Sequence, residues 1–152
     1  METKDIISVS LSTTALVVSL TAFALNYRHA RRAAVLGRKP VLVFLYDGAR
    51  GWVLKNVGNG PALNIVVAQK RVGGDWFNPV RIPPLSRDAE YVPLWLGHVN
   101  TTGLGAIYTD SEGKSYTSTC GNDLSQVFEG IRFGPWSEAE ISRHWNQPLY
   151  HE

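Results

Sequence analysis

The side chains of this 152-residue sequence that could do chemistry are few: His98, His144 and His151, the single cysteine Cys120, and the acidic pair Asp110 and Glu112. A helical metal pair needs two histidines one turn apart, whereas His144 and His151 are seven residues apart with Pro148 between them. A structural zinc site needs a cysteine pair, which one cysteine cannot form. Cys120 beside a histidine would make a nucleophile and its base, yet a lone cysteine at a strand end is more often a small buried residue. Asp110 and Glu112 flank a turn closed by Gly113, where Asp and Gly serve geometry. No general acid–base pair stands out, so the sequence reads as a non-enzyme with no catalytic residue, no metal and no cofactor.

A glycine loop is the other chemistry in view, in the stretch NVGNGPALNI that begins at Asn56. Phosphate-binding glycine loops present their amides from a helix N-terminus, and the P-loop type adds a Lys and a hydroxyl residue. Here Gly58, Gly60 and Pro61 lead instead into Ile65, Val66 and Val67, which favour a strand. The glycines are therefore expected to supply backbone angles for a tight strand connection stiffened by Pro61.

The elements around these residues follow from patterning. From residue 40 the runs PVLVFLY, GWVLKNV, ALNIVVAQKR, WFNPVRI, AEYVPLW, GLGAIYT and KSYTSTC alternate with Gly, Pro and Asp turn signals. Seven strands at hairpin spacing predict an antiparallel sandwich over residues 40–121, of immunoglobulin-like topology without a disulfide. Residues 122–152 form a C-terminal extension in which Ser137 and Glu140 make a capping box, predicting a short helix to about Trp145 that packs on the sandwich. Trp136, His144, Trp145 and Tyr150 are candidates there for a partner or ligand surface, against the alternative of covering an open sheet edge.

The N-terminus differs in kind. Residues 6–27 carry no charge, long enough as a helix to cross a hydrocarbon core of about 30 Å. A transmembrane helix is expected over residues 1–27 with its tail, followed by a basic juxtamembrane linker over 28–39. Arg28, Arg31, Arg32, Arg38 and Lys39 supply that linker's charge, keep it cytoplasmic under the positive-inside rule, and suit anionic lipid head groups. The N-terminus would then lie outside a bacterial inner membrane and the C-terminal domain in the cytoplasm. The alternative is a cleaved signal peptide at Ala22-Phe23-Ala24, although the basic charge follows the apolar run instead of preceding it. Ser8, Ser12, Ala15, Ser19, Ala22 and Asn26 recur at helical spacing, a small-residue seam suited to self-association as a homo-oligomer.

Beyond the basic linker, nine lysines and arginines face eleven acidic residues, so the β domain is no nucleic-acid platform. The segments WVLKNVGNGPALNI, IPPLSRDAEYVPL and IYTDSEGKSYTST resemble a pattern in small, largely uncharacterised bacterial single-pass membrane proteins with an immunoglobulin-like β-sandwich and an NVGNGPA-type turn. That resemblance implies architecture and a bacterial inner-membrane setting, and no catalytic residues. The expected function is a membrane-anchored, non-enzymatic binding or scaffold module with a protein partner. An alternative is a membrane effector gated by a small molecule such as a nucleotide, with Arg81, Arg87 and Arg132 as candidate ligand contacts. A third is an exported β-sandwich.

Overall fold

From residue 42 onward short apolar or alternating runs lie between turn signals, and the chain answers with strands. The structure is a computed structural model and describes residues 3–96, 101–121 and 124–143, with side chains inside the helix described at 14–31 and 33. The chain divides into two compact units, Met1–Gly37 and Arg38–Glu152. The first carries helix α1 (Thr3–Leu36). Among the described residues, the second carries nine strands: β1 (Leu42–Asp47), β2 (Gly51–Asn56), β3 (Leu63–Arg71), β4 (Trp76–Arg81), β5 (Glu90–Tyr91), β6 (Thr101–Thr109), β7 (Ser115–Gly121), β8 (Leu124–Glu129) and β9 (Ser142–Arg143).

Three strands form one sheet in the order β1-β2-β5, and six form another in the order β8-β7-β6-β3-β4-β9. All neighbours are antiparallel except β9, which lies parallel to β4. The two inner faces share one core. Leu42 and Phe44 of β1 and Leu54 of β2 meet Ile65, Val67, Val80, Leu104, Ala106, Tyr108 and Tyr116 of the larger sheet.

Three expectations about the fold are corrected. The immunoglobulin-like seven-strand sandwich gives way to nine strands split three and six, with a parallel pair that the immunoglobulin pattern lacks. As part of that same change, the run AEYVPLW pairs only at Glu90 and Tyr91, because Pro93 stops it from extending along β2. The C-terminal extension supplies β8 and β9 instead of a helix. Its capping box does form, with Glu140 Oε2 accepting from the Ser137 N–H at 2.7 Å and the Ser137 hydroxyl at 2.8 Å. It closes a single turn, after which residues 142 and 143 pair along β4.

The third correction concerns the N-terminus. Among the described residues no helix is long and apolar enough to cross a membrane. The uncharged run is not an element by itself. Nothing caps it at Tyr27, and the Ala-rich segment beyond favours helix, so α1 continues through Arg28, His29 and Arg31 to Leu36 where a linker was expected.

Asn56 ties the second unit together. It is fully buried at the end of β2, where the chain leaves the three-stranded sheet for the six-stranded one. Its Oδ1 accepts from the Val41 N–H at 3.2 Å and the Gly58 N–H at 3.0 Å. Its Nδ2 donates to the carbonyls of Gly60 at 2.8 Å and Leu85 at 3.0 Å. Its backbone is also held, by Ala89 and Asp88, in the segment that returns from β4 to β5. One side chain with its hydrogen-bonding capacity filled thus joins the entry to β1, the crossover out of β2 and the crossover back.

The glycines beside it have a different reason from the one expected. Neither Gly58 nor Gly60 has a positive φ. The segment entering β1 passes directly over them instead. A Cβ on Gly58 would lie 2.5 Å from the Lys39 carbonyl oxygen, and one on Gly60 would overlap the Arg38 carbonyl. A second tie between the sheets is Tyr108, whose buried hydroxyl accepts from the Leu42 N–H at 3.2 Å and meets the Ser118 hydroxyl at 3.0 Å.

Replacing Asn56 with Ala removes four hydrogen bonds to the backbone; the Val41 and Gly58 N–H groups and the Gly60 carbonyl lose this partner, while the Leu85 carbonyl keeps the Ala62 N–H at 2.9 Å. Asn56→Ala is expected to cost roughly 3 kcal/mol and to lower the midpoint of thermal unfolding by roughly 10 °C. Circular dichroism melting of the two proteins checks this, and an unchanged midpoint would show that the crossovers hold without it.

Candidate functional site

Alternation along β6 sends Leu104, Ala106 and Tyr108 into the core, so Gly103, Gly105 and Ile107 belong to the outer face of the larger sheet. Gly105 lies beneath an aromatic stack. A Cβ there would sit 2.5 Å from Phe133 and 2.7 Å from Trp76. Trp76 and Phe133 stack with centroids 4.0 Å apart and planes 15° apart, and Trp136 meets Phe133 edge-on at 5.6 Å. Thr117 of β7 pins the segment that carries Phe133. Its hydroxyl donates to the Gly130 carbonyl at 2.6 Å and accepts from the Arg132 N–H at 3.1 Å.

Beside this stack the sheet is bare. Gly103 and Gly121 face each other across β6 and β7, so two neighbouring strands expose backbone where side chains would stand. The result is an open groove of about 410 Å³ across the outer face, lined by Lys70, Trp76, Gly103, Thr119, Gln126 and Leu124 among others. Its size is ordinary for a small-ligand or peptide-side-chain site. Among the described residues Lys70 is the only charged one in the lining, and its ammonium lies 5.8 Å from the Trp76 ring centroid. An aromatic wall, one cation, hydroxyl and amide side chains and bare amides suit binding. Cys120 also lines the groove, and among the described residues of the lining no histidine or carboxylate stands beside it to act as a base.

The residues expected to bind are dispersed. Arg81 pairs with Glu138 at 2.7 Å, Arg87 with Asp88 at 3.3 Å, and Arg132 lies 5.4 Å from the Phe128 ring, so each is engaged separately. Trp136 is half-buried in the aromatic cluster that walls the groove. His144, Trp145 and Tyr150 lie outside the described residues, as do His98 and His151. Arg28 and Arg31 are exposed on α1, while Arg32 is among the helix side chains not described. Arg38 and Lys39 belong to the second unit, paired with Glu112 at 3.4 Å and Glu129 at 3.5 Å. Of the small-residue seam, Ala15, Ser19, Ala22 and Asn26 are exposed, and the side chains of Ser8 and Ser12 are not described. Lys70, Trp76, Gly103, Gly121 and Gln126 escaped the sequence reading. The available signal was a pair of alternating glycines inside a strand, TTGLGAIYT, which marks a close approach or an exposed backbone.

Asp110 serves the β6–β7 turn. Its Oδ1 accepts from the N–H groups of Glu112 and Lys114, both at 2.9 Å, and its Oδ2 accepts from the Tyr116 hydroxyl at 3.0 Å. Burial pushes this carboxyl up, but the Lys114 and Glu112 N–H groups and the Tyr116 hydroxyl outweigh it and hold it below its ordinary 3.8. Tyr116 in turn is pushed up to about 12, by burial first and by the Asp110 carboxylate second.

Comparison with protein-family models, curated proteins and solved structures returns no match to this chain.

Two pH effects follow from the signs of these shifts. Asp110 has its folded pKa below the ordinary value, so its stabilisation is complete above pH 3.8 and is lost as the pH falls through the folded value. Tyr116 has its folded pKa raised, so its stabilisation is complete below pH 10 and drains away as the pH rises toward 12. Urea midpoints measured across pH should therefore fall less steeply below pH 4 in Asp110→Asn than in the parent. They should also fall less steeply above pH 10 in Tyr116→Phe.

Proposed function

We propose that this chain is a non-enzymatic binding module that presents the outer face of its six-stranded sheet to a partner from the cytoplasmic side of a bacterial inner membrane. The observation that carries the reading is the groove beside the Trp76–Phe133 stack. It combines an aromatic wall, the cation Lys70 and the bare Gly103–Gly121 backbone, with no acid–base pair among the described lining residues. Binding sites pair apolar walls with a few placed polar groups in this way.

Support for the membrane setting comes from the first unit. Leu16, Val17, Val18, Leu20, Phe23 and Leu25 of α1 are all exposed, between 55% and 71%. Exposed apolar surface of that extent marks contact with lipid or another chain. Arg28 and Arg31 follow on the same helix, where anionic head groups attract them. The separation of Arg81, Arg87 and Arg132 gives no support to a nucleotide-gated effector built on those three residues.

Two experiments test the reading. On fractionation of cells at low salt, the full chain should sediment with the membranes; recovery in the soluble fraction alone would discard the membrane setting. A photo-crosslinking amino acid at position 119, in the middle of the groove, should give a discrete heavier adduct in cells that Lys70→Glu with Trp76→Ala abolishes. Position 113, at the tip of the β6–β7 turn, should give none. Equal labelling at both positions would mean that the groove holds no partner.

A further inference from the structure

Among the described residues the larger sheet ends on β8, a long edge without the usual blunting. Edge strands offer unpaired backbone groups to any passing strand, and proteins blunt them with short strands, prolines, lysines or bulges. Among the described residues the opposite edge, β9, is two residues long, and so is β5 at one edge of the smaller sheet. At the other, the first N–H of β1 is taken by the Tyr108 hydroxyl of the sheet beneath. β8 has six residues, LSQVFE, with no proline and no lysine, in unbroken one-to-one register with β7. Five of the six are exposed, Leu124 at 64% and Val127 at 37% among them.

The ladder tells which backbone groups face outward. Gly130 donates to the Ser115 carbonyl at 2.8 Å, which makes residues 115 and 130 a directly hydrogen-bonded pair. Hydrogen-bonded pairs alternate, so Phe128, Gln126 and Leu124 also bond to β7, while the N–H and C=O groups of Ser125, Val127 and Glu129 point to the open edge.

We propose that β8 pairs with β8 of a second copy of this chain, antiparallel, about a two-fold axis through Val127. The sequence of the strand is self-complementary in that register. Val127 meets its own copy, an apolar contact in place of an exposed one. Ser125 faces Glu129 and Glu129 faces Ser125, so the lone charge of the strand never meets itself. Glu129 is also already held by Lys114 at 2.8 Å and Lys39 at 3.5 Å, so pairing strands no bare carboxylate. On the outer face Gln126 comes opposite Phe128, an ordinary polar–aromatic cross-strand pair. Each of the pairs 125–129, 127–127 and 129–125 exchanges two backbone hydrogen bonds, and the two six-stranded sheets become one. Because Leu124 and Gln126 also line the groove, the two copies' grooves approach the axis from either side. A strand from an unrelated protein would find the same amides but not this matching of side chains. The assembly stands whether or not the groove takes a partner.

The test uses the full-length chain in mild detergent. Sedimentation velocity should show a dimer, and Val127→Lys, which sets two ammonium groups against each other at the axis, should lose it while the circular dichroism melt is retained. In a Cys120→Ser background, Val127→Cys should form a disulfide-linked dimer on gentle oxidation, because opposed Cα atoms of such a pair lie about 5.5 Å apart. Ser125→Cys in the same background should not, because its two copies lie about 14 Å apart along the strands. A monomeric parent chain, a dimer that Val127→Lys leaves intact, or cross-linking at 127 no faster than at 125 each overturns the proposal. An intact dimer in Val127→Lys would place self-association elsewhere in the chain. Should Val127→Lys not fold, the pair of cysteine variants decides.

Discussion

The second unit depends on one buried amide. Asn56 stands where three backbone segments would otherwise carry unpaired groups into the interior: the entry to β1, the crossover from β2 to β3 and the return from β4 toward β5. Each change of sheet takes the chain out of a ladder, and the amides and carbonyls released there must find partners or cost the desolvation penalty of a buried polar group. An asparagine side chain offers two donor hydrogens and an acceptor oxygen in one plane, so it can serve several strands of chain at once. The close passage of residues 38–41 over Gly58 and Gly60 is what lets that amide reach all of them. The hydrogen bonds at the hub and the bare glycines are two sides of one packing arrangement.

The same logic of small residues and covered backbone shapes the outer face of the large sheet. Gly105 has no side chain, and the Trp76–Phe133 stack settles directly onto its backbone. Gly103 and Gly121 have none either, yet nothing in the described chain settles on them. One position is a completed contact and the other is an open one of related chemistry. The groove is thus the uncovered continuation of a surface the protein has already shown how to cover with aromatic rings.

Charge is distributed with comparable economy. Arg38 and Lys39 continue the basic run of the N-terminus in sequence, but their side chains close ion pairs on the β unit with Glu112 and Glu129, and Lys39 also lies 5.3 Å from the Tyr116 ring centroid. These exposed pairs contribute little energy individually. Their role is placement, because they bring the segment that covers Gly58 and Gly60 against the β6–β7 hairpin and the end of β8. On the far side of the three-stranded sheet, Asp47, Arg50, Lys55 and Glu90 form a second surface network that links β1, β2 and β5.

By itself the sequence determined the class of the β unit, the positions of six of its strands to within a residue or two, the Asp110 turn and the Ser137–Glu140 pair. These follow from local rules: period-two apolarity, turn residues with fixed backbone demands, and side chains that bond within a few positions of themselves. Only the tertiary structure decided that the strand connection NVGNGPA carries the chain from one sheet to the other, that its glycines answer a neighbouring segment instead of a special φ, and that the segment after Cys120 completes the larger sheet as β8. It also decided that the capping box ends in one turn, since Ser142 and Arg143 gain a ladder along β4 that outweighs helix propensity. The groove belongs to this second group. Lys70, Trp76, Gly103, Gly121 and Gln126 come from five strands and are neighbours only because the sheet sets those strands side by side. No local pattern encodes such a meeting, because strand order is settled by long-range pairing and by which faces can be buried together.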